Sequence, residues 1–445
     1  MKKKKFTTVA SLPKNVHKVL AKHILADGFD LVLDLDKSHG NYLYDAKNKK
    51  EIIDFFSFFA SGAIGMNHPA LMEKKFQTNL LRAALHKPTN SDVYTVELAN
   101  FIETFAKIAQ PKYLPYSFFV EGGAAAVENA LKVAFDWKVQ KNFLKGYKYE
   151  VGTKVLHFKD AFHGRSGYTM SLTNTDPKKI NYFPKFNWPR VLNPKITFPL
   201  NSKNLENVIS LEKESIEQIK QSFIDNRDDI AAIIIEPIQS EGGDNHFRKE
   251  FFIKLREIAN ENDAILIFDE VQTGIGITGK MWAHEHFVKP DLIVFGKKTH
   301  TCGISVGKRI DDIEKNVLKV KSRINSTFGG NLTDMVRFTK ILEVIENENL
   351  VDNAKITGKY LLTKLYQLQN EFPNLFSNAR GLGLLCAVDL KNTNLRDKFL
   401  SEVFKNGVLL LGCGEKTVRF RPQLIANKNI IDEGFEVIRK ISKKI

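Results

Sequence analysis

The chain has 445 residues, of which 43% are hydrophobic, and its formal net charge is +15. This composition indicates a globular protein, and the length suggests roughly two or three domains at about 150 residues each. No apolar run approaches the ~20 residues of a membrane span, and the lysines of residues 1–6 are not followed by the apolar stretch of a secretion signal. We therefore expect a cytoplasmic protein without membrane contact.

The positive charge is spread along the whole chain, with short basic clusters at residues 1–5 and 441–445. This distribution favours attraction of small anions over a dedicated nucleic-acid surface. We therefore expect no nucleic-acid partner and keep a basic nucleic-acid-binding protein as the most distant alternative. The three cysteines, Cys302, Cys386 and Cys413, are scattered and odd in number, so they indicate neither a disulfide framework nor a metal site.

Residues 42–54 resemble a small strand-turn-strand unit with residues 48–50 at its turn. Further along the chain, short apolar runs alternate with helical periodicity, a pattern typical of a mostly parallel sheet covered by helices. Helical spacing of apolar residues begins at Ala124 and again after Arg248. The predicted strands of this middle region are residues 117–120, 155–158, 230–235, 264–268, 292–295 and 304–306.

After about Asn331 the pattern changes to long helices at residues 334–347 and 353–371, followed by short strands at 384–390 and 417–420. We interpret the two chain ends as one smaller domain. The predicted architecture is an α/β fold with a large domain of residues 76–334 and a small α+β domain built from residues 1–75 and 335–445.

An acid and an amine follow two neighbouring apolar runs. Asp269 comes directly after residues 264–268, and Lys297 follows residues 292–295 at a distance of 28 positions from Asp269. Runs without charge suit strands covered on both faces, and the gap between them is long enough for a crossover helix. Ligand chemistry in such sheets lies at the strand ends. A pyridoxal phosphate enzyme needs this pair, because one group keeps the pyridine nitrogen protonated and the other forms the Schiff base.

Four other segments carry weaker signals. Residues 121–126 place paired glycines before a helix, which suits a phosphate but is more often a tight turn. Residues 162–165 offer an aromatic face and an arginine, although Phe162 as core, His163 as a structural residue and Arg165 as a surface residue are the simpler interpretations. In residues 325–331 Thr327 has a hydroxyl suited to a phosphate, yet such a glycine-containing loop is commonly a turn.

Residues 235–243 end another buried strand with acids and a glycine pair. A carboxylate held there needs a cation, and Arg419 in residues 418–422 is one candidate. The sequence alone does not make that pairing. Two interpretations of such a pair are possible: a structural salt bridge between the two domains, and a functional gate.

Taken together and in this order, these segments resemble the class III pyridoxal phosphate aminotransferases over residues 54–424. The strongest part is an Asp-Glu after a hydrophobic strand, followed by Asp-hydrophobic-hydrophobic-x-x-Gly-Lys, which is present here as Asp269-Glu270 and as residues 291–297. The resemblance implies fold type I. Most members have Asn-Ser-Gly-Thr where this chain has residues 121–124, and a glycine-rich run where it has residues 298–302. With residues 323–327 and 418–422, these departures look most like the subgroup that removes the terminal amine of lysine.

The resemblance implies pyridoxal 5'-phosphate as the cofactor and assigns residues around it. Lys297 would be the Schiff-base lysine, in preference to Lys298, and Asp269 would hold the pyridine nitrogen. Gln272 would contact the ring hydroxyl, and Phe162 would stack on the ring. Gly123 and Ala124 would bind the phosphate through backbone amides, and Thr327 would reach it across a dimer interface, so the expected active unit is a homodimer.

The same resemblance implies the substrates. It assigns Arg165 to the distant carboxylate of the substrate and Asn325 to an additional substrate contact. Glu241 would neutralise Arg419 while lysine reacts and release it for 2-oxoglutarate. The expected reaction follows ping-pong kinetics and gives 2-aminoadipate 6-semialdehyde and L-glutamate. The alternatives are an ornithine or 4-aminobutyrate enzyme of the same class and a binding protein that keeps the fold without catalysis. The roles of His163, His300 and Cys302 stay open.

Overall fold

The structure is a computed structural model that describes residues 12–445, so the lysine cluster of residues 1–6 lies outside the described residues. Within this range no helix is both long and apolar enough to cross a membrane. The strands are β1 (Leu33–His39), β2 (Tyr42–Asp45), β3 (Lys50–Asp54), β4 (Tyr116–Val120), β5 (Lys154–Phe158), β6 (Arg190–Val191), β7 (Ile230–Ile235), β8 (Ile265–Asp269), β9 (Leu292–Phe295), β10 (Cys302–Val306), β11 (Phe376–Leu382), β12 (Leu385–Leu390), β13 (Val408–Leu409), β14 (Leu411–Cys413) and β15 (Thr417–Phe420). The α-helices are α1 (Val16–Leu20), α2 (Ser57–Ala60), α3 (Pro69–Met72), α4 (Lys74–Leu85), α5 (Val96–Ile108), α6 (Gly123–Leu144), α7 (Gly167–Leu172), α8 (Ser202–Asp225), α9 (Lys249–Glu261), α10 (Leu332–Asn347), α11 (Leu350–Glu371), α12 (Thr393–Lys405) and α13 (Lys428–Ser442).

The central sheet has seven strands in the order β4-β10-β9-β8-β7-β5-β6. Strands β9, β8, β7, β5 and β6 are mutually parallel, and β10 runs antiparallel to its neighbours β9 and β4. The predicted fold class, a mostly parallel sheet covered by helices, is confirmed. The six predicted strands of the middle region are all present, with ends shifted by at most two residues, and the two-residue strand β6 was not predicted.

Burial on both faces explains why these strands are continuous apolar runs. All six residues of β7 are buried. Ala232 and Ile234 belong to the apolar cluster that includes residues of α6, whereas Ile233 and Ile235 belong to the cluster that includes residues of α9. Each buried isoleucine contributes roughly 1.5–3 kcal/mol relative to an exposed one. The two helices therefore fix the sheet and, with it, the positions of the strand ends.

The connection between β8 and β9 differs from the sequence interpretation. No α-helix crosses over between Asp269 and Leu292, where the described chain makes tight turns and a 3-10 helix at Ala283–His286. Gly276 and Gly279 have φ values of 84° and 78°, in the left-handed region that favours glycine. A run of turn residues therefore replaces the expected crossover helix, and it keeps the segment after Asp269 close to the strand ends.

The two chain ends build two further sheets, with strand orders β1-β2-β3-β13 and β11-β12-β15-β14. In the first of them β3, from the start of the chain, pairs in parallel with β13, and Ile53 lies opposite Val408. This pairing brings both termini into one sheet, as the interpretation of a shared small domain requires. The proposed domain limits at 75/76 and 334/335 fall inside helices α4 and α10, and they stay a prediction.

Candidate active site

A cavity of about 300 Å³ lies where β5, β7, β8 and β9 end, the edge at which open α/β sheets bind ligands. Its size is at the lower end of the range for ligand pockets. The residues that line it are Gly123, Ala124, Phe162, His163, Gly164, Arg165, Glu236, Asp269, Val271, Gln272 and Lys297. The parallel strands thus bring together residues that are up to 174 positions apart, from 123 to 297.

Asp269 is the last residue of β8 and is 5% exposed. Its Oδ1 accepts a hydrogen bond from the backbone N of Val271 at 3.1 Å, and its Oδ2 lies 2.8 Å from Nδ1 of the buried His163. The carboxylate is therefore fixed in orientation by its own chain and by the histidine. His163, which looked structural from the sequence, positions the acid.

Lys297 begins the 3-10 helix Lys297–Thr299 and lines the cavity, whereas Lys298 is buried at 2% exposure and is not among the lining residues. The backbone of Lys297 is left-handed, with φ of 54°, a conformation that is uncommon away from glycine and that occurs at functional sites. Burial lowers the pKa of the Lys297 amine. A larger neutral fraction at neutral pH suits an amine that acts as a nucleophile and a base.

The start of α6 also lines the cavity, through Gly123 and Ala124. The helix begins at Gly123 after Gly122, whose φ is 95°. A Cβ at Gly164, which has φ of 129°, would lie 2.6 Å from the Cβ of Ala124, so glycine is required for this loop to pack on the helix start. Free backbone amides and the positive end of the helix dipole make this an anion site of the kind that binds phosphate.

Glu236 and Gln272 complete the lining. The carboxylate of Glu236 accepts hydrogen bonds from the backbone N of Phe162 at 3.0 Å and from the backbone N of Ser240 at 3.1 Å. The first of these bonds fixes the loop that carries Phe162 at the cavity. Burial raises the pKa of Glu236 to about 7. The buried Oε1 of Gln272 and Nε2 of His163 have no hydrogen-bond partner among the described residues. Buried polar atoms without partners are rare, so they indicate a polar ligand.

Glu241 and Arg419 are not among the residues that line the cavity, but both lie close enough to Lys297 to affect the pKa of its amine. Glu241 itself lies between two cations. Its Oε2 is 2.9 Å from Nη2 of Arg419, and its Oε1 is 2.7 Å from Nζ of Lys179. Burial alone would raise the pKa of Glu241, but Arg419 and Lys179 outweigh that effect and leave the pKa below its usual value. Arg419 is 1% exposed, and its Nε and Nη1 have no partner among residues 12–445. The guanidinium therefore has binding capacity that Glu241 does not use.

The remaining predicted site residues are exposed. Arg165 lines the cavity and makes no ion pair with any residue of the described chain. Asn325 and Thr327 do not line the cavity of their own chain, and Oδ1 of Asn325 accepts from the backbone N of Ser326 at 2.8 Å. His300 stacks on Phe338 with ring centroids 6.3 Å apart, and His300 is also absent from the cavity lining.

These residues fit pyridoxal 5'-phosphate. The cavity has an anion site at the start of α6, an anchored carboxylate and a partly buried lysine. It also has buried polar atoms of His163 and Gln272 that lack partners. Phe162 offers a partly buried aromatic face at the same place. The donor set therefore suits a planar, phosphorylated molecule with an aldehyde and a basic ring nitrogen.

A family model described as aminotransferase class-III matches residues 25–442, which is more of the chain than the resemblance of residues 54–424 covered. The chain belongs to the class III aminotransferases. This assignment confirms the prediction of a pyridoxal phosphate-dependent aminotransferase of fold type I, and pyridoxal 5'-phosphate is its cofactor.

The sequence relatives include L-lysine-epsilon aminotransferases. Those of Mycobacterium bovis and Amycolatopsis lactamdurans are 50% and 46% identical over 96% of this chain and 95% of their own length. Human mitochondrial 4-aminobutyrate aminotransferase is 31% identical over 90% of this chain and 82% of its own length. This class III aminotransferase is thus more similar to the lysine enzymes than to the 4-aminobutyrate enzyme.

Solved structures also match this chain. The lysine aminotransferase of M. tuberculosis, solved in its internal aldimine form, matches with a TM-score of 0.95 at 49% identity, over 97% of this chain and 99% of that one. The ornithine aminotransferase of Toxoplasma gondii matches with a TM-score of 0.76 at 22% identity, over 97% and 94%. At that identity the second match shows the shared fold alone.

The sequence analysis did not predict the roles of three residues: His163, Glu236 and Lys179. The first two follow β5 and β7, so the rule that ligands bind at strand ends was a usable signal for them. Lys179 ends a 3-10 helix at Pro177–Lys179, away from any strand end. No sequence pattern marks it.

Proposed function

We propose that this enzyme transfers the terminal amino group of L-lysine to 2-oxoglutarate, giving 2-aminoadipate 6-semialdehyde and L-glutamate by a ping-pong mechanism. The observation that carries the proposal is the pairing of Glu241 with Arg419 near Lys297, which lines the same cavity as Asp269. The L-lysine-epsilon aminotransferases at 46–50% identity support the choice of lysine. The 4-aminobutyrate aminotransferases, at 31–33%, supply the alternative substrate class.

When bound, pyridoxal phosphate supplies an aldehyde that condenses with amines and a protonated ring that withdraws electrons from the carbon next to the nitrogen. Lys297 would hold the cofactor through its amine until the substrate amine arrives. The free Lys297 amine would then take a proton from the terminal carbon of lysine and return it to the cofactor carbon that had carried the aldehyde. Burial, which lowers the pKa of this amine, keeps it available as a base.

Asp269 stabilises the proton on the ring nitrogen, and the 2.8 Å contact with His163 keeps its carboxylate in the orientation that this task needs. Phe162, whose backbone N is held by Glu236, would cover one face of the ring. Gly123 and Ala124 would bind the phosphate at the start of α6, and Gln272 would contact the ring hydroxyl. These side chains supply orientation and charge stabilisation, while Lys297 moves the proton.

Arg165 binds the carboxylate far from the reacting carbon in both substrates. Its guanidinium is exposed at the cavity lining, and within residues 12–445 it has no carboxylate partner. A planar guanidinium binds a carboxylate through two parallel hydrogen bonds, which fixes the direction of the substrate chain. Lysine bound in this way presents its terminal amine, and 2-oxoglutarate presents its oxo carbon.

The two half-reactions make opposite demands next to the reacting carbon. The terminal carbon of lysine bears an amine and no carboxylate. The oxo carbon of 2-oxoglutarate bears a carboxylate, which needs a cation. Glu241 meets both demands by pairing with Arg419 at 2.9 Å in the first half-reaction and moving away in the second. Such a movement hides or exposes one positive charge without a change in the fold.

We also propose a homodimer whose interface includes the loop of residues 325–330. This loop lies on residues 90–91, because Oγ of Ser91 donates to the backbone O of Ser326 at 2.6 Å and the N of Asn90 donates to the O of Phe328 at 3.2 Å. Large apolar side chains are exposed nearby in sequence, a pattern typical of protein interfaces. They are Leu81, Leu85, Val93, Tyr94 and Val96. In the dimer Thr327 would reach the phosphate of the partner's site and Asn325 its substrate.

The function is tested by following nitrogen from one substrate to the other. L-lysine labelled with ¹⁵N at the terminal amine is incubated with the enzyme and 2-oxoglutarate, and the glutamate formed is analysed by mass spectrometry. We expect the label in glutamate at close to full enrichment. Lysine labelled at the α-amine is the matched control and should give unlabelled glutamate. The reverse pattern would contradict the assignment of the reacting carbon.

A further inference from the structure

Lys179 is the second cation that contacts Glu241. Its Nζ lies 2.7 Å from Oε1 of Glu241, while Nη2 of Arg419 lies 2.9 Å from the other oxygen, Oε2. The side chain of Lys179 is 16% exposed, and that of Glu241 is 23% exposed. One carboxylate of limited exposure is thus shared between two positive charges, one on each oxygen.

Lys179 is anchored independently of Glu241. Its Nζ also donates to Oγ1 of Thr175 at 3.2 Å and lies 5.3 Å from the centre of the Phe162 ring. Its backbone N donates to the O of Asp176 at 3.0 Å, within the turn that carries Pro177–Lys179. These contacts hold the ammonium in place when the carboxylate of Glu241 moves.

Release of Arg419 would leave Glu241 as a partly buried charge without a partner if Arg419 were its sole cation. Such a charge is costly, because desolvation is then not compensated. With Lys179 in place the carboxylate loses one partner and keeps the other. In the paired state Lys179 and Arg419 are two like charges on one carboxylate, and their repulsion is relieved when Arg419 is released. Lys179 therefore lowers the free energy needed to expose Arg419.

We propose that Lys179 is a positioning residue that retains Glu241 when Arg419 is released, and so sets the affinity of the enzyme for dicarboxylate substrates. This inference rests on the proposed gate of Glu241 and Arg419 and adds the group that receives the displaced carboxylate. Lys179 acts through Glu241, and it makes no contact with the substrate. A different role, direct binding of the substrate carboxylate by Lys179, predicts another result in the test below.

The test measures binding without turnover, by calorimetric titration of the pyridoxal phosphate-loaded enzyme with glutarate and pentanoate. Both are five-carbon acids without an amine or an oxo group. Glutarate carries two carboxylates, and pentanoate carries one. The Lys179→Met variant should bind glutarate about tenfold more weakly, the size expected for one charge-assisted hydrogen bond. Pentanoate, which needs Arg165 alone, should change by less than about twofold.

Two variants serve as controls. Lys178→Met removes the neighbouring lysine of the same 3-10 helix, which is exposed and makes no ion pair within residues 12–445, and it should leave glutarate binding unchanged. Lys179→Arg keeps the positive charge and should restore glutarate binding to within about threefold of the unsubstituted enzyme. Any effect of Lys179→Met that Lys178→Met reproduces would be an effect of net charge, and it would contradict the proposal.

The decisive comparison uses Glu241→Gln as background, where no carboxylate needs to be retained. There, Lys179→Met should have no further effect on glutarate binding. A tenfold loss in that background would mean that Lys179 binds the ligand directly, and failure of the unsubstituted enzyme to bind glutarate would mean that Arg419 is not exposed; either result overturns the proposal. Lysine turnover measured in parallel separates this outcome from failure of the proposed function, because the glutarate titrations do not depend on lysine being the donor.

Discussion

Replacing Lys297 with alanine is expected to reduce transamination by about 10⁴-fold or more, the largest effect of any single substitution at the site. The amine both attaches the cofactor and moves the proton, and no other lysine lines the cavity of the described chain. The variant should bind pyridoxal phosphate without covalent attachment. Steady-state assays and the absorbance of the attached cofactor, before and after borohydride reduction, check both statements.

Lys298→Met is the matched control, because Lys298 is the adjacent residue, is 2% exposed and does not line the cavity. A long apolar side chain fills the same space, so we expect covalent attachment of the cofactor to persist. Peptide mapping after borohydride reduction should find the modification on Lys297 in the unsubstituted enzyme. Modification of Lys298, or full activity of Lys297→Ala, would refute the assignment.

The Lys297→Ala variant also tests the dimer. When it is co-expressed with Thr327→Ala, each heterodimer should contain one site with both defects and one site with neither, provided that Thr327 serves the partner's cofactor. Random pairing then leaves about a quarter of all sites intact, and activity at limiting pyridoxal phosphate should recover to that level. If Thr327 instead serves the cofactor of its own subunit, every site of the heterodimer carries one of the two defects, and activity would not recover.

Replacing Glu241 with alanine is expected to reduce kcat/KM for L-lysine by roughly 30- to 100-fold, the scale of an uncompensated buried charge. Arg419, 1% exposed, would then present a free guanidinium beside the terminal carbon of lysine and repel the substrate amine. Glutamate, whose carboxylate pairs with Arg419, should lose less than about threefold. Single-turnover kinetics of each half-reaction, recorded at the cofactor absorbance, separate the two effects.

The difference between the two substrates is the informative quantity in this experiment. A general defect in folding or cofactor binding would reduce both half-reactions equally, so the cofactor absorbance of the variant serves as the internal control. Equal losses with lysine and glutamate would rule out the gate. A higher ratio of kcat/KM for lysine to kcat/KM for glutamate in the variant would contradict the proposed role of Glu241.

The sequence predicted the sheet well because its strands are buried on both faces. Strands β7 and β9 are uninterrupted apolar runs, and both were located at their observed limits, Ile230–Ile235 and Leu292–Phe295. The ends of such strands then located Asp269 and Lys297. The expected crossover helix between them was wrong because a series of glycine turns at residues 274–279 connects two adjacent parallel strands without a helix.

Contacts between distant segments needed the structure. Glu241 and Arg419 are 178 positions apart, and the sequence left their pairing open between a seam salt bridge and a gate. The contact between His163 and Asp269 joins two strand ends 106 positions apart, and it turns a histidine without an assigned role into the residue that orients the acid. Lys179 lies outside any recognisable motif, so its position on Glu241 followed from tertiary packing alone.

The central claim, that lysine is the amine donor, is tested most directly by kcat/KM for a panel of donors with 2-oxoglutarate as the acceptor. The panel compares L-lysine with L-ornithine, which has one methylene less, and with 4-aminobutyrate, which lacks the α-amine and is two carbons shorter. We expect L-lysine to exceed both by about tenfold or more, since one methylene in a pocket changes binding by roughly 1–3 kcal/mol. A higher kcat/KM for L-ornithine or 4-aminobutyrate would contradict the account and assign the enzyme to another branch of the class III aminotransferases.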